Sequence, residues 1–272
     1  MSHPHDHRAP AVTIPDPDSP SRRLSSVGGA LRLLKTFTPE EPELGITALA
    51  KRLAVAKSTA HRLASTLVAE GFLEQNPVDG RYRLGLLLFS LGAQVRRRMD
   101  VSEQAVPHLH ALSTQSGETV HLAVLHDAEI LYLRNIDSPH AIRTRSYLGV
   151  RMPAYCTSEG RALLAFSPPL VVAHIMRARL QPRTEHTVTD KAKLTKILAQ
   201  VRDSGYAIDD EESENGMRGV AAPIFDANGA VVAAVGLAGP AQRVSKAGLR
   251  KFSALVVQAG QAISARLGYH YK

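Results

Sequence analysis

Near the start of the chain, apolar residues recur at helical spacing in two short neighbouring stretches. Ile46, Leu49, Ala50 and Leu53 share one face of a helix that the pattern begins at Thr47, read as its N-cap, and ends near Leu53. Leu63, Ala64, Leu67 and Val68 share one face of a second helix, opened by Lys57 or Ser58 and ended by Gly71 in a C-cap role. Only Ala54-Val55-Ala56 stands between them, without the glycine often found in such a turn. Lys57, Ser58, Thr59, His61 and Arg62 crowd the first turns of the second helix. Two short strand patterns follow, Phe72–Glu74 and Arg81–Leu84, around Asn76-Pro77-Val78-Asp79-Gly80, where Asp-Gly tolerates positive φ. A further helix is expected before the pair, from Ser26 to about Phe37.

Helix, tight turn, helix and basic hairpin, in that order, form the sequence pattern of a winged helix-turn-helix, which places one helix in the DNA major groove. In this reading Lys57, Ser58, Thr59, His61 and Arg62 reach base edges and phosphates. Arg81 and Arg83 on the wing lie along the phosphate backbone. Arg22 and Arg23 form an arm for the minor groove. The alternative is a small helical interaction domain with solvated charges, since such spacing alone gives false positives.

Beyond the wing, Leu84, Leu88, Leu91 and Val95 make a helical stripe too apolar for a solvated linker. It reads as a connecting helix buried against a second subunit or the chain's own domains. The pattern then mixes types. Helices are expected at 101–115, 158–166, 170–179, 191–204 and 245–267, and strands at 119–125, 130–135 and 141–147. A hairpin pairs 220–225 with 231–237 across Asp226-Ala227-Asn228-Gly229. Strands joined partly by hairpins, with helices flanking them, argue an α/β domain with a largely antiparallel sheet. The chain as a whole is then α+β: a disordered tail (1–23), a winged helix-turn-helix (24–84), a linker helix (85–98) and a second domain (99–272).

Composition narrows the classes. A chain of 272 residues, 44% hydrophobic, can bury two cores. One cysteine excludes an internal disulfide and suits a reducing compartment. No apolar run approaches the ~18 residues of a membrane span, and the first residues lack a secretory apolar core. The expected location is the cytoplasm, away from membranes. Residues 22–98 hold 13 Lys and Arg against 6 Asp and Glu, a net +7 of the chain's +8. That is an electrostatic footprint for a polyanion.

Three blocks, in order, carry a resemblance over about residues 24 to 268. They are LSSVGGALRLLKTF with ITALAKRLAVAKSTAHRLASTLVAEGFLE and a wing, then LGVRMPAYCTSEGRALLAF, then GYAIDDEESENGMRGVAAPIFDANGAVVAAVGLAGP. The chain resembles the IclR family of bacterial transcriptional regulators. The resemblance implies a winged-helix DNA-binding domain, a linker helix and a GAF-like domain that binds a small molecule. It implies an effector site at Ser158, Glu159, Gly160, Asp209, Met217, Gly219, Gly236 and Ala238. Helix-terminal N–H groups at 158–160 suit a carboxylate. Many members have Cys at the position of Gly219 and some have serines at Gly236 and Ala238, so the expected cavity is roomier and poorer in hydroxyls. Glu159 would repel an anion unless it points away or pairs with an arginine such as Arg161.

The expected function is a ligand-responsive regulator of catabolic genes, a repressor by family habit and otherwise an activator. It would bind a palindromic operator as a homodimer or tetramer and answer to a small organic acid, aromatic acids among them. No cofactor and no metal are expected. His3, His5 and His7 read as a solvated tail. His108 and His110 point different ways on one helix, and the acidic run Asp209–Glu212 reads as a solvated loop with one or two structural caps. The alternative of another class is a hydrolase with Cys156 as nucleophile and His121 or His126 as base. An architectural DNA binder is disfavoured by residues 99–272, whose net charge is only +3.

Overall fold

The structure, a computed structural model, describes residues 26–97, 100–144 and 148–270. The tail with Arg22, Arg23 and its histidines, the side chain of Val95 and residues 145–147 of the expected strand lie outside them. The chain divides into two compact units, Met1–Val95 and Arg96–Lys272.

In the first unit, α1 (Ser26–Leu34), α2 (Ile46–Leu53) and α3 (Lys57–Ala69) precede a hairpin of β1 (Leu73–Gln75) and β2 (Tyr82–Leu84). Leu33, Leu44, Leu49, Leu63, Leu67, Leu73 and Tyr82 bury one another in its core. The first helix stops a turn short of Phe37, where Arg52 of α2 donates to the Thr36 carbonyl at 2.8 Å and fixes the chain as it turns away. Thr47 is not the N-cap of α2. Gly45 is, with no side-chain cap, because Leu44 and Tyr82 exchange backbone bonds of 2.9 Å and set the chain's direction one residue earlier. The turn does without glycine because Ala54 itself takes φ 52°. Gly71 (φ 74°) ends α3: its N–H reaches the Val68 carbonyl at 3.0 Å, and that of Phe72 reaches Leu67 at 2.8 Å. The boundary between the units falls in the last turn of α4 (Leu86–Arg97).

The second unit contains α5 (Asp100–Ser116), β3 (Thr119–His126), β4 (Glu129–Ile136), β5 (Arg151–Pro153), α6 (Ser158–Phe166) and α7 (Pro169–Arg177). It continues with α8 (Lys191–Ser204), β6 (Ala207–Asp210), β7 (Met217–Phe225), β8 (Val231–Pro240) and α9 (Lys246–Arg266). The sheet order is β5-β4-β3-β8-β7-β6, with every neighbouring pair antiparallel. Strand alternation divides the core. Val220, Ala222, Ile224, Val235 and Leu237 pack with α5 and α9, while Ala221, Ala234, Ala123 and Tyr132 face α6 and α8.

Two strand expectations change. Residues 141–144 form no strand, and the edge beside β4 is taken by β5, with Met152 opposite Ile130. At three residues, β5 is too short to show alternation. The acidic stretch Ala207–Asp210, which carries no strand pattern, forms β6 because β7 offers it an open ladder, with Asp209 opposite Gly219. That pairing makes β6 the other edge of the sheet.

Candidate DNA-binding surface and effector cavity

The first turns of α3 face solvent. Lys57, Ser58, His61 and Arg62 are exposed and Thr59 is half-buried, while Ala60, Leu63, Ala64 and Leu67 hold the opposite face in the core. Lys57 and Arg62 carry no ion pair among the described residues. The wing differs. Arg83 pairs with Glu74 at 2.8 Å and with Glu43 at 3.7 Å, and Arg81 lies 3.6 Å from Asp79. Both wing arginines spend charge locally, whereas Lys57 and Arg62 of α3 do not.

In the second unit, small residues clear the middle of the sheet. Gly219 of β7 pairs with Ala238 of β8, and Gly236 of β8 pairs with His121 of β3. The first turn of α6 fills this clearing. A Cβ on Gly219 would meet the Ser158 Oγ at 2.9 Å, and one on Gly236 would meet the Glu159 Oε1 at 2.6 Å. The expectation of extra ligand volume at Gly236 is therefore corrected: that space belongs to the Glu159 carboxylate. Gly160 likewise serves packing, since a Cβ there would lie 2.2 Å from the Ala154 carbonyl oxygen. Its N–H is also spent, donating to the Thr157 Oγ1 at 3.3 Å, so it offers no anion handle.

What stays open is a cavity of about 80 Å³ beside the clearing. Glu159, Asp209, Met217, Gly219 and Ala238 line it, together with His121, Tyr132, Thr144, Thr157 and Ser213. Ser158, Gly160 and Gly236 do not, although all three shape its wall. Larger hollows among the described residues, such as those of about 640 and 290 Å³, lie elsewhere and are more open to solvent.

The buried charges in and beside the cavity have specific partners. Glu159 does not pair with Arg161. It meets the His121 Nδ1 at 3.2 Å and accepts from the Ser158 Oγ at 3.0 Å. Arg161, 2% exposed, instead holds Glu212 through bonds of 2.5 and 2.6 Å, and also donates to the Tyr155 and Ile208 carbonyls. Glu212 further accepts from the Val188 N–H at 2.8 Å. The acidic run is thus an anchored wall, with Asp209 and Glu212 buried, and not a solvated loop with one or two structural caps. Asp209 accepts from the Ser213 hydroxyl, from the Glu212 N–H at 2.8 Å and from the Ser213 N–H at 3.2 Å. Burial pushes its carboxyl up to about 6, against those hydrogen bonds and Arg161. Burial, and then the charges of Glu159 and Asp209, raise the Tyr132 phenol well above its ordinary value, so it remains a hydroxyl.

Sequence reasoning missed His121 and Tyr132 as cavity residues and Glu212 as the partner of Arg161. Strand alternation places the first two on the α6 side, but their meeting with Glu159 spans 38 residues and has no local signal. Cys156, the nucleophile of the hydrolase alternative, is fully buried, and burial pushes its thiol up to about 12. A thiol with that affinity for its proton is no nucleophile near neutral pH, so the geometry gives that alternative no support.

Comparison with known proteins agrees with both halves of this description. Residues 26–77 match the IclR helix-turn-helix domain, and residues 93–265 match the bacterial transcriptional regulator IclR C-terminal family. The chain is 38% identical over 255 residues to the HTH-type transcriptional regulator KdgR of Escherichia coli (strain K12), covering 93% of this chain and 95% of that protein. It is 31% identical over 249 residues to the transcriptional repressor IclR of the same organism, covering 90% and 91%. Among solved structures, an IclR homologue from Microbacterium hydrocarbonoxydans complexed with 4-hydroxybenzoate superposes with a TM-score of 0.80 at 28% identity, covering 89% of this chain and 99% of that one. With a helix-turn-helix in one unit and an antiparallel α/β sheet in the other, this chain belongs to the IclR family of ligand-responsive, DNA-binding transcriptional regulators.

Proposed function

We propose that the chain is a cytoplasmic, non-enzymatic repressor of catabolic genes that releases its operator when a small organic acid enters the cavity of the second unit. The observation that carries this reading is the pair of exposed cations, Lys57 and Arg62, without ion-pair partners among the described residues, on the solvent face of a helix whose other face is core. Lys57, Ser58, Thr59, His61 and Arg62 read the major groove, Arg81 and Arg83 steady the wing on phosphate, and Arg22 and Arg23 form the arm. Residues 24–84 supply the DNA contacts, 85–98 the link and 99–272 the ligand response. The 4-hydroxybenzoate bound by the Microbacterium homologue supports a small acid as the class of effector.

A symmetric dimer, alone or doubled into a tetramer, supplies the two half-sites of a palindrome. The first unit leaves apolar surface for it: Leu86 is 77% and Phe89 73% exposed, and Leu84 and Leu91 of the expected stripe are also exposed. A ligand shifts DNA affinity only through a differential affinity for two arrangements of that pair.

Operator titrations test the DNA half. Arg62→Ala or Lys57→Ala should cost ~1–3 kcal/mol and relax sequence preference, Arg83→Ala should cost less, and binding should weaken steeply with salt. Equal losses at all three positions would misplace the reading helix. For the ligand half, Gly219→Leu drives a side chain against Ser158 and should abolish ligand response while sparing operator affinity. An undiminished response would put the effector elsewhere. A monomer in light scattering that still binds its operator tightly would remove the dimer.

A further inference from the structure

Strand β7 outruns its neighbour. β6 begins at Ala207, opposite Ala221, so Ala222 to Phe225 have no strand beside them on that edge. The last turn of α8, ended by Gly205 at φ 78°, stands next to this uncovered stretch. The edge is poorly equipped to take another strand: Pro223 has no N–H, and that of Phe225 donates to the Ser264 Oγ at 3.0 Å. What remains there is a hollow of about 290 Å³. Phe225 lines it, six residues along β7 from Gly219 of the effector cavity. At ~3.3 Å per residue that is a separation of about 20 Å.

The inner wall of this hollow is aromatic. Phe225 meets Phe166 edge-on, with centroids 5.1 Å apart and planes at 87°, and lies 5.1 Å from the Tyr269 ring at 33°. Phe225 is buried, whereas Phe166 and Tyr269 are half-buried and keep part of their surface open. Two rings at right angles make a corner in which a further flat ring packs, face to one and edge to the other. Charges of both signs line the same hollow: Arg202 and Asp203, both exposed, in the last turn of α8. Asp203 has no ion pair or hydrogen bond among the described residues. Arg202 gives its Nη1 to the Ala165 carbonyl at 3.0 Å, which holds the guanidinium in place and leaves the rest of its fork for a carboxylate.

We propose that this hollow is a second ligand site, separate from the effector cavity, and that it takes an aromatic amino acid. The ring enters the corner of Phe166 and Phe225, the α-carboxylate bonds Arg202 and the α-ammonium pairs with Asp203. An aromatic acid or an aromatic amine satisfies only one of the two charges and forfeits a charge-assisted hydrogen bond at the other. The volume falls just below the ~300–1,000 Å³ of sites for drug-sized molecules, which suits a ligand of amino-acid size.

Calorimetry on the full chain tests this with L-phenylalanine and L-tyrosine. The controls are 3-phenylpropionate, which lacks the ammonium, phenethylamine, which lacks the carboxylate, and L-leucine, which lacks the ring. At least one of the two aromatic amino acids should bind, and all three controls should bind at least tenfold more weakly. Arg202→Gln and Asp203→Asn should each weaken that ligand about tenfold, the worth of one hydrogen bond to a charged group. Gly219→Leu should leave its affinity unchanged, and the two α8 variants should keep unliganded operator affinity. Asp203→Asn decides the matter even if Arg202→Gln loosens the end of α6, because Asp203 holds no other part of the described chain. The proposal falls if neither amino acid binds at millimolar concentration, if any control binds within tenfold of the better one, or if Asp203→Asn leaves the affinity unchanged. Binding lost in Gly219→Leu and kept in Asp203→Asn would overturn it by placing the amino acid in the effector cavity.

Discussion

The carboxylate of Glu159 occupies the place that a side chain at position 236 would need: the Oε1 lies 2.6 Å from where a Cβ on Gly236 would stand. That glycine admits the first turn of α6 to the sheet and lets Glu159 reach His121. Gly236→Ala must push Glu159 off its partner or shift the Ala221 Cβ, which would be 2.9 Å away. We expect a loss of about 1–3 kcal/mol, read as a lower urea midpoint, together with weaker ligand response.

Arg161 and Glu212 lock the acidic wall to α6 from a buried position. Arg161→Met strands the Glu212 carboxylate, which keeps only the Val188 N–H among the bonds described above. The single variant should lose about 3–5 kcal/mol, and adding Glu212→Leu should restore much of it. Denaturation of the two proteins side by side checks the order; a double variant weaker than the single would contradict it.

Asp209 sets a pH dependence whose sign can be worked out. Its folded-state pKa, about 6, lies above the ordinary 3.8, so the folded chain holds this proton more tightly than the unfolded one. The stability it contributes is fully present below about pH 4 and is lost as the pH rises through 6. Asp209→Asn should remove this component, on the order of 3 kcal/mol across that window. Melting curves from pH 4 to 7 provide the check: the two proteins should differ in slope, and parallel curves would refute the shift.

Ala54 holds φ 52° just past α2, a conformation that costs an L-residue ~1–2 kcal/mol and glycine very little. Ala54→Gly should stabilise the protein by about 1 kcal/mol, less than the full cost because glycine gains entropy when unfolded. The gain should appear as a rise of a few degrees in melting temperature. Operator affinity should be unchanged, since the residue lies before Lys57 and the reading face.

The sequence by itself determined the helices, both hairpins and the solvent-facing start of α3. These rest on periods of 3.6 and 2 and on Gly71, Asp-Gly and the N-terminal crowding of Lys57 to Arg62, all of which act within a few residues. It also placed Glu159, Asp209, Met217, Gly219 and Ala238 at one cavity, by resemblance. Tertiary structure alone decided which side chains meet there. His121 lies 38 residues from Glu159, and Arg161 lies 51 from Glu212. The role of Gly236 also reversed, from making room for a ligand to making room for Glu159. Short edge strands followed the same rule, since β5 and β6 exist only because β4 and β7 offer open ladders. Local patterns specify local structure because their hydrogen bonds and faces close within a turn or a hairpin. Partners brought together across a sheet are chosen by packing and charge compensation, which no window of neighbouring residues contains.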